Sequence, residues 1–196
     1  MTVFMDDNNT ASQFRKLKNL WMILSIFLLL PNAYAQKKTI TAVPSLELDR
    51  YLGVWYEIAH KSSGFLSDCV QNTQVIYTIN VNRQIVVEND CIDDQGQMQS
   101  IRGEAFIVNP PHNSKFKISF LPEVVRWLTV GRDDYWVLKI DDHYQTALVG
   151  DPKHKYLWIL SRQPTMPEAL YDDYVRYAQK IGYQTQDLIR TKHTEK

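Results

Sequence analysis

The chain has little with which to grip a charged polymer, hold a metal or cross a membrane. Its 22 Lys and Arg balance 22 Asp and Glu, and no basic run breaks that balance. Nucleic acid and a polybasic membrane contact therefore lack their electrostatic footprint. The five histidines, His60, His112, His143, His154 and His193, are scattered singly and stand at no ligand spacing from the two cysteines, so no metal or other cofactor is expected. The uninterrupted run Leu20–Leu30 is 11 residues, about half of the roughly 20 that a membrane-spanning helix needs. Catalytic groupings are missing as well. Ser62 and Ser63 do not sit in a Gly-x-Ser-x-Gly elbow. The pairs Asp133-Asp134, Asp141-Asp142 and Asp172-Asp173 fall in turns or on a helix, where acidic pairs are solvated. Glu57, an acid on an expected strand, reads as a hydrogen-bonded structural carboxylate rather than a general base. No enzymatic activity is expected.

What is present begins with an export signal. Arg15, Lys16 and Lys18 lead into the apolar run, and Pro31 precedes Ala33-Tyr34-Ala35, whose small residues stand where a signal peptidase reads. Residues 1–35 are expected to be a signal peptide and Gln36 the mature N-terminus; an uncleaved anchor is the alternative. Asp6 and Asp7, ahead of the cationic patch, leave a translation start at Met5 or later open. No cysteine stands directly after the apolar run, so no lipid anchor is expected. Cleavage leaves 161 residues with one net negative charge, enough for one domain, 36–196, with a single core. The expected location is periplasmic or secreted, and in such an oxidising compartment Cys69 and Cys91 read as a disulfide.

From Trp55 to Arg162 short segments of alternating or wholly apolar character are separated by turn residues, the pattern of an all-β barrel or sandwich. Strands are expected at 54–61, 70–80, 84–92, 97–108, 115–120, 134–141, 145–150 and 156–162. Asn80-Val81-Asn82-Arg83, Asp93-Asp94-Gln95-Gly96, Asn109 to Asn113 and Gly150-Asp151-Pro152 punctuate them. Eight consecutive strands with mostly short loops fit an antiparallel up-and-down β-barrel that holds one small ligand. The period then changes. Pro167 and Glu168 open a helix on which Leu170, Tyr174, Tyr177, Ala178 and Ile181 recur at helical spacing, and Gly182 stands at its C′ position. One C-terminal α-helix packed outside the barrel is expected, then a short strand at about 187–191 pairing with the first. Strand 134–141 is apolar on both faces, with Tyr135 and Val137 on one and Trp136, Leu138 and Ile140 on the other, as a helix-covered barrel strand should be. On 70–80 the inward set is Val75, Tyr77 and Ile79.

Asp49-Arg50-Tyr51-Leu52-Gly53-Val54-Trp55-Tyr56-Glu57-Ile58-Ala59 resembles the opening signature of lipocalins, with its Gly-x-Trp core, and most closely the bacterial lipocalin and apolipoprotein D branch. Ala147-Leu148-Val149 and Tyr156 to Arg162 followed by Pro164 resemble that branch's seventh and eighth strands. The resemblance runs from about Leu48 to Thr191. It implies that Trp55 plugs the closed end of the barrel, with Arg162 lying across its ring and holding nearby carbonyls, while Gly53 lets the chain turn tightly beneath. A middle Thr-Asp-Tyr block is blurred here to Ile140-Asp141-Asp142-His143-Tyr144, which leaves that turn's geometry open.

The function so implied is carriage of a small hydrophobic or amphipathic ligand, a fatty acid, lysophospholipid or similar. The expected lining is Val75, Tyr77, Ile85, Val87, Phe116, Ile118, Phe120, Tyr135, Val137, Val149, Trp158 and Leu160. With Trp55 at the closed end, loops 62–69, 93–96, 121–133 and 151–155 belong to the open end. Loop 121–133 carries Val124, Val125, Trp127, Leu128 and Val130. It reads either as a lid whose side chains cover one another or as a lip touching ligand or membrane, with Trp127 covering an entering chain and Arg126 and Arg132 pairing with an anionic headgroup. The alternatives are a haem- or tetrapyrrole-binding barrel, for which His60 is the candidate ligand, and a barrel enzyme acting on a lipid-like substrate.

Overall fold

The computed structural model describes residues 39–61 and 69–194. The expected signal peptide 1–35, its boundary at Gln36, and loop residues 62–68 lie outside the described residues. A one-turn helix α1 (Leu48–Tyr51) leads into eight antiparallel strands: β1 (Gly53–Lys61), β2 (Cys69–Ile79), β3 (Ile85–Asp93), β4 (Met98–Ile107), β5 (Lys115–Ser119), β6 (Asp133–Ile140), β7 (Thr146–Gly150) and β8 (Leu157–Ser161). Helix α2 (Glu168–Lys180) and the short strand β9 (Leu188–Arg190) complete the described chain. Each strand pairs with the next in sequence, β8 returns to β1, and Gly53–Tyr56 of β1 pair with Gln74–Tyr77 of β2. The sheet is thus a closed barrel, and each of the eight strand boundaries falls within one residue of the period-two reading.

Two apolar layers follow from the alternation of side chains across the sheet. Inside lie Trp55, Val75, Tyr77, Ile85, Val87, Phe116, Ile118, Tyr135, Val137, Val149 and Leu160. Outside, Ile58, Ala59, Leu138, Leu148, Leu157 and Ile159 pack under Tyr174 and Ala178 of α2. The helix ends in a Schellman arrangement, with Tyr183 N–H donating to Ala178 O and Gly182 N–H to Gln179 O, and Gly182 at φ +107°. Tyrosine hydroxyls then fasten this end to the barrel. Tyr174 reaches Thr146, Tyr177 donates to Leu138 O at 3.2 Å, and Tyr183 donates to Asp151 O at 2.7 Å. The approach is so close that a Cβ on Gly150 would stand 2.2 Å from the Tyr183 hydroxyl.

Two expected side-chain directions are corrected. Ile140 belongs with the inner cluster, not with Trp136 and Leu138, because a bulge between Val137 and Lys139 shifts the alternation by one. Ile79 is exposed, because it lies at the last residue of β2, beyond the filled part of the barrel.

The closed end is sealed from several directions. Residues 39–47 form a strap that bends at Pro44, with Val43 N–H donating to Val137 O and Leu46 N–H to His112 O, and Leu46 is buried against the inner cluster. At the blurred turn, Asp141 accepts N–H bonds from His143, Gln145 and Thr146, and Tyr144 takes φ +57°. The Tyr144 hydroxyl accepts from Glu47 N–H at 2.9 Å. Asp141 organises the turn, with Arg50 and Arg162 donating to the carbonyls of Asp142 and Tyr144, and the tyrosine ties it to the strap.

Candidate functional site

Because the strands alternate in direction, the connections after β3, β5 and β7 lie at the end opposite Trp55. A cavity opens there, about 900 Å³ of empty space when its mouth is counted. Its wall is apolar in the middle, with Val75, Tyr77, Val87, Ile118, Phe120, Tyr135, Trp158 and Leu160, and polar above, with Glu57, His60, Thr73, Gln74, Asn89, Asp133, Asp134 and Tyr156. A second, much tighter void lies below it, lined by Leu48, Tyr51, Leu52, Ile85, Ala105 and Phe116. Tyr77, Ile118 and Tyr135 border both and so form the partition.

Eight of the twelve expected lining residues therefore meet at the cavity: Val75, Tyr77, Val87, Ile118, Phe120, Tyr135, Trp158 and Leu160. Ile85 and Phe116 face the lower void. Val137 and Val149 reach neither, being wholly buried in the inner core. Trp127 and Arg126 are not brought to the cavity either. Loop 120–132 folds on its own carbonyls: Arg126 Nε donates to Leu121 O at 2.9 Å, and the Trp127 indole N–H donates to Val124 O at 3.1 Å while its ring stays 74% exposed. Arg132 lies over the Phe106 ring, 3.7 Å from its centroid.

Glu57 and His60 share the cavity because of a bulge. Strict alternation would turn Glu57 and Ala59 inward, but β1 shifts register against β8 between Glu57 and Ala59. Ala59 joins the outer layer and His60 turns in. His60 Nδ1 lies 2.7 Å from Glu57 Oε1, which also accepts from Thr191 Oγ1 at 2.5 Å. The C-terminal segment supplies that contact by filling the seam where β1 and β2 part. Leu188–Arg190 pair with Ala59–Lys61, Lys192 bridges to Gln71, and Asn72 and Thr194 exchange side-chain and backbone bonds.

The hydrogen bond to Glu57 raises the His60 pKa above 6.5, against desolvation that would lower it. A raised folded-state value adds stability that is complete below about pH 6.5, the unfolded value, and is lost as pH rises through the folded value. The melting-temperature advantage of wild type over His60→Asn should therefore be present in mild acid and fade on going alkaline. An advantage that does not change with pH would remove the ion pair from the account. The rim is acidic overall: among the described lining residues no Lys or Arg appears beside Glu57, Asp133 and Asp134. Lys117 is engaged by Asp134 at 3.0 Å, and Lys155 lies over the Tyr156 ring.

At the base, Trp55 is fully buried and its indole N–H donates to Tyr51 O at 2.8 Å. The Arg162 guanidinium lies 3.8 Å from the Trp55 ring centroid and donates to the carbonyls of Val54, Arg50 and Leu52 at 2.6, 2.8 and 2.8 Å. Gly53 is at φ +95°, and a Cβ there would stand 3.4 Å from that guanidinium.

A closed eight-stranded antiparallel barrel with an apolar cavity, a tryptophan–arginine base and an outer helix defines a lipocalin. The family's lipocalin-like domain profile matches residues 46–193, and the chain belongs to this family. It is 37% identical to temperature-induced lipocalin-1 of Arabidopsis thaliana over 82% of this chain and 86% of that protein. The outer membrane lipoprotein Blc of Vibrio cholerae is 28% identical over 82% and 91%, a member of the bacterial branch that the opening block resembles. Among solved structures, insecticyanin from the tobacco hornworm Manduca sexta superposes with a TM-score of 0.62 at 19% identity, covering 80% of this chain and 85% of that one. That likeness is one of fold.

The residues that sequence reasoning did not assign to the site are Tyr51, Thr73, Gln74, Asn89, Asp133, Asp134 and Tyr156. Asn89 shares by period two the face of its strand that carries Ile85 and Val87, a signal that could have found it. Asp133 and Asp134 follow a loop and gave none.

Proposed function

We propose that this protein carries a small hydrophobic or amphipathic molecule in the barrel and performs no covalent step on it. The observation behind this reading is the apolar cavity, open at one end and closed by Trp55 at the other. A guest's chain is held there by burial of apolar area, at about 25 cal/mol per Å². Fatty acids, lysophospholipids and similar single-chain amphiphiles are the class proposed, and the acidic rim ranks an uncharged or zwitterionic member above a free carboxylate. The neutral fluorophore N-phenyl-1-naphthylamine should brighten on binding and be displaced by lysophosphatidylcholine and dodecanol more readily than by dodecanoate. Failure of all three to displace it would overturn the reading. Export to an oxidising compartment is part of the proposal, supported by the Cys69–Cys91 disulfide.

The open-end loop supports transient membrane contact. Val124, Trp127 and Val130 are 82%, 74% and 65% exposed on one connection, more apolar surface than a solvated loop requires. Zwitterionic phosphatidylcholine vesicles should shift Trp127 emission to the blue, measured against Trp127→Phe to isolate its signal. An unshifted spectrum would make the loop a lid only. The position of His60 also supports a second reading, haem binding: Nδ1 is oriented by Glu57, leaving Nε2 for a ligand bond. Added haemin should then give a Soret band that His60→Ala abolishes; free-haemin absorbance in wild type would rule this out.

A further inference from the structure

The partition between the two voids is made of hydroxyls, although it lies in the most apolar part of the barrel. Tyr51 on α1, Tyr77 on β2 and Tyr135 on β6 are each more than nine-tenths buried. Their oxygens meet at Tyr135: Tyr77 donates to it at 2.5 Å, and Tyr51 lies 2.9 Å from it with either atom as donor. Among the described residues the three hydroxyls have one another as partners. The surroundings are Ile85, Val87, Ala105, Phe116, Ile118 and Leu160. A polar group taken out of water in such a place must be matched, or it costs free energy.

The hydrogens do not balance within the trio. Three neutral phenols bring three hydrogens, and the two bonds use two of them, whichever way the Tyr51–Tyr135 bond points. One donor is left for a partner outside the three. The phenols are neutral because desolvation raises all three pKa values, so the third hydrogen is not lost by ionisation. Tyr77 and Tyr135 both border the upper cavity, and an acceptor descending from the mouth reaches them first.

We propose that the tyrosine trio is a hydrogen-bond donor site for an uncharged oxygen, carbonyl or hydroxyl, at the end of the guest that enters the barrel first. The proposal rests on the carrier reading and adds what the guest must carry at its deep end. A carboxylate is excluded by charge. It would be buried without a cation, since the Arg162 guanidinium lies beyond Trp55 and is committed to backbone carbonyls, and it would have to pass Glu57, Asp133 and Asp134 on the way down. A hydroxyl fits as well as a carbonyl, because the oxygens of Tyr51 and Tyr77 have lone pairs to spare.

The test compares guests of one chain length, undecane, 2-undecanone, 1-undecanol and undecanoate, as competitors for N-phenyl-1-naphthylamine at pH 7. Wild type should bind the ketone and the alcohol about five- to tenfold more tightly than the alkane, the size of one net hydrogen bond, and the carboxylate more weakly than either. Single variants Tyr77→Phe and Tyr135→Phe each still leave a hydroxyl hydrogen at the cavity and should keep most of the preference. The double variant Tyr77→Phe/Tyr135→Phe leaves only Tyr51, which faces the lower void, and should bind ketone and alkane alike. The infrared carbonyl band of ¹³C-labelled ketone should move to lower frequency in wild type and the single variants and stay unshifted in the double one. Equal binding of ketone and alkane by wild type, an unshifted band, or a preference that survives in the double variant would overturn the donor site and leave the carrier reading standing. No displacement by any of the four would overturn both.

Discussion

Trp55→Ala should destabilise the protein by about 3–5 kcal/mol, the range for deleting a large buried aromatic. Trp55 is fully buried, its ring stands 5.1 Å from that of Tyr51, and its N–H is matched by Tyr51 O. Alanine removes the packing on both sides and leaves that carbonyl only the longer bond from Arg162 Nη2, at 3.2 Å. It also withdraws the surface on which Arg162 rests, so the guanidinium loses a cation–π contact as well. Arg162→Ala should cost less, on the order of 1–3 kcal/mol, because several of the carbonyls it serves lie near solvent and water can replace it. Arg162→Lys should recover little, since one ammonium cannot lie flat on the indole and fork to several carbonyls at once. Urea unfolding of the three variants gives the ranking. Neither residue lines the cavity, so the affinity of the folded fraction for N-phenyl-1-naphthylamine should stay near wild type. Full stability with lost affinity in either variant would place these residues in binding instead.

Strand positions were legible because a barrel with a filled interior forces strict alternation. Phe116 and Ile118 against Lys115 and Lys117 can be read in one way only. The helix was equally legible from Leu170, Tyr174, Ala178 and Gly182. What alternation cannot show is where it breaks. Each bulge, at Glu57–Ala59 and Val137–Lys139, shifts the register by one where no glycine or proline announces it. His60 entered the cavity and Ile140 the core for that reason.

The donor trio was hidden differently. Tyr77 and Tyr135 were placed correctly on the inward face but weighed as apolar bulk, and their partner Tyr51 sits on a single turn of helix whose direction no periodicity reports. Arg126 and Trp127 mark a further limit. The composition of loop 121–133 suggested groups reaching for a guest, yet a loop without strand partners must first satisfy its own carbonyls, and Leu121, Val124 and Arg126 oxygens take those donors. The strap was missed because Ile40, Val43 and Leu46 recur three apart, a spacing that fits no strand and is too short to mark a helix.

Replacing the disulfide by Cys69→Ala/Cys91→Ala should cost roughly 3 kcal/mol in the chain-entropy model for a bridge of sequence separation 22. For a domain of this size that is a fall in Tm of about 6–12 °C. Alanine is the replacement to use, because Cys91 is 2% exposed and serine would bury a hydroxyl there. The loss should also be uneven. The upper end of β2 is the weakly laddered part of its hairpin, with register shifts between Cys69 and Gln71 and again between Gln71 and Gln74. The bridge holds that end down against β3, and the seam filled by Lys192 and Thr194 hangs on Asn72 of the same stretch. Freed of the bridge, β2 should open from the mouth while Val75–Ile79, paired residue by residue with β3, stays closed. Native-state hydrogen exchange should accordingly quicken at Asn72 and Thr194, whose N–H groups bond across the seam, and leave Tyr77 near its wild-type protection. Uniform acceleration at both ends of β2 would mean that the bridge acts only through the unfolded chain. Stability within 0.5 kcal/mol of wild type, the ordinary range for a surface substitution, would mean that β3 and the C-terminal segment hold the mouth without it.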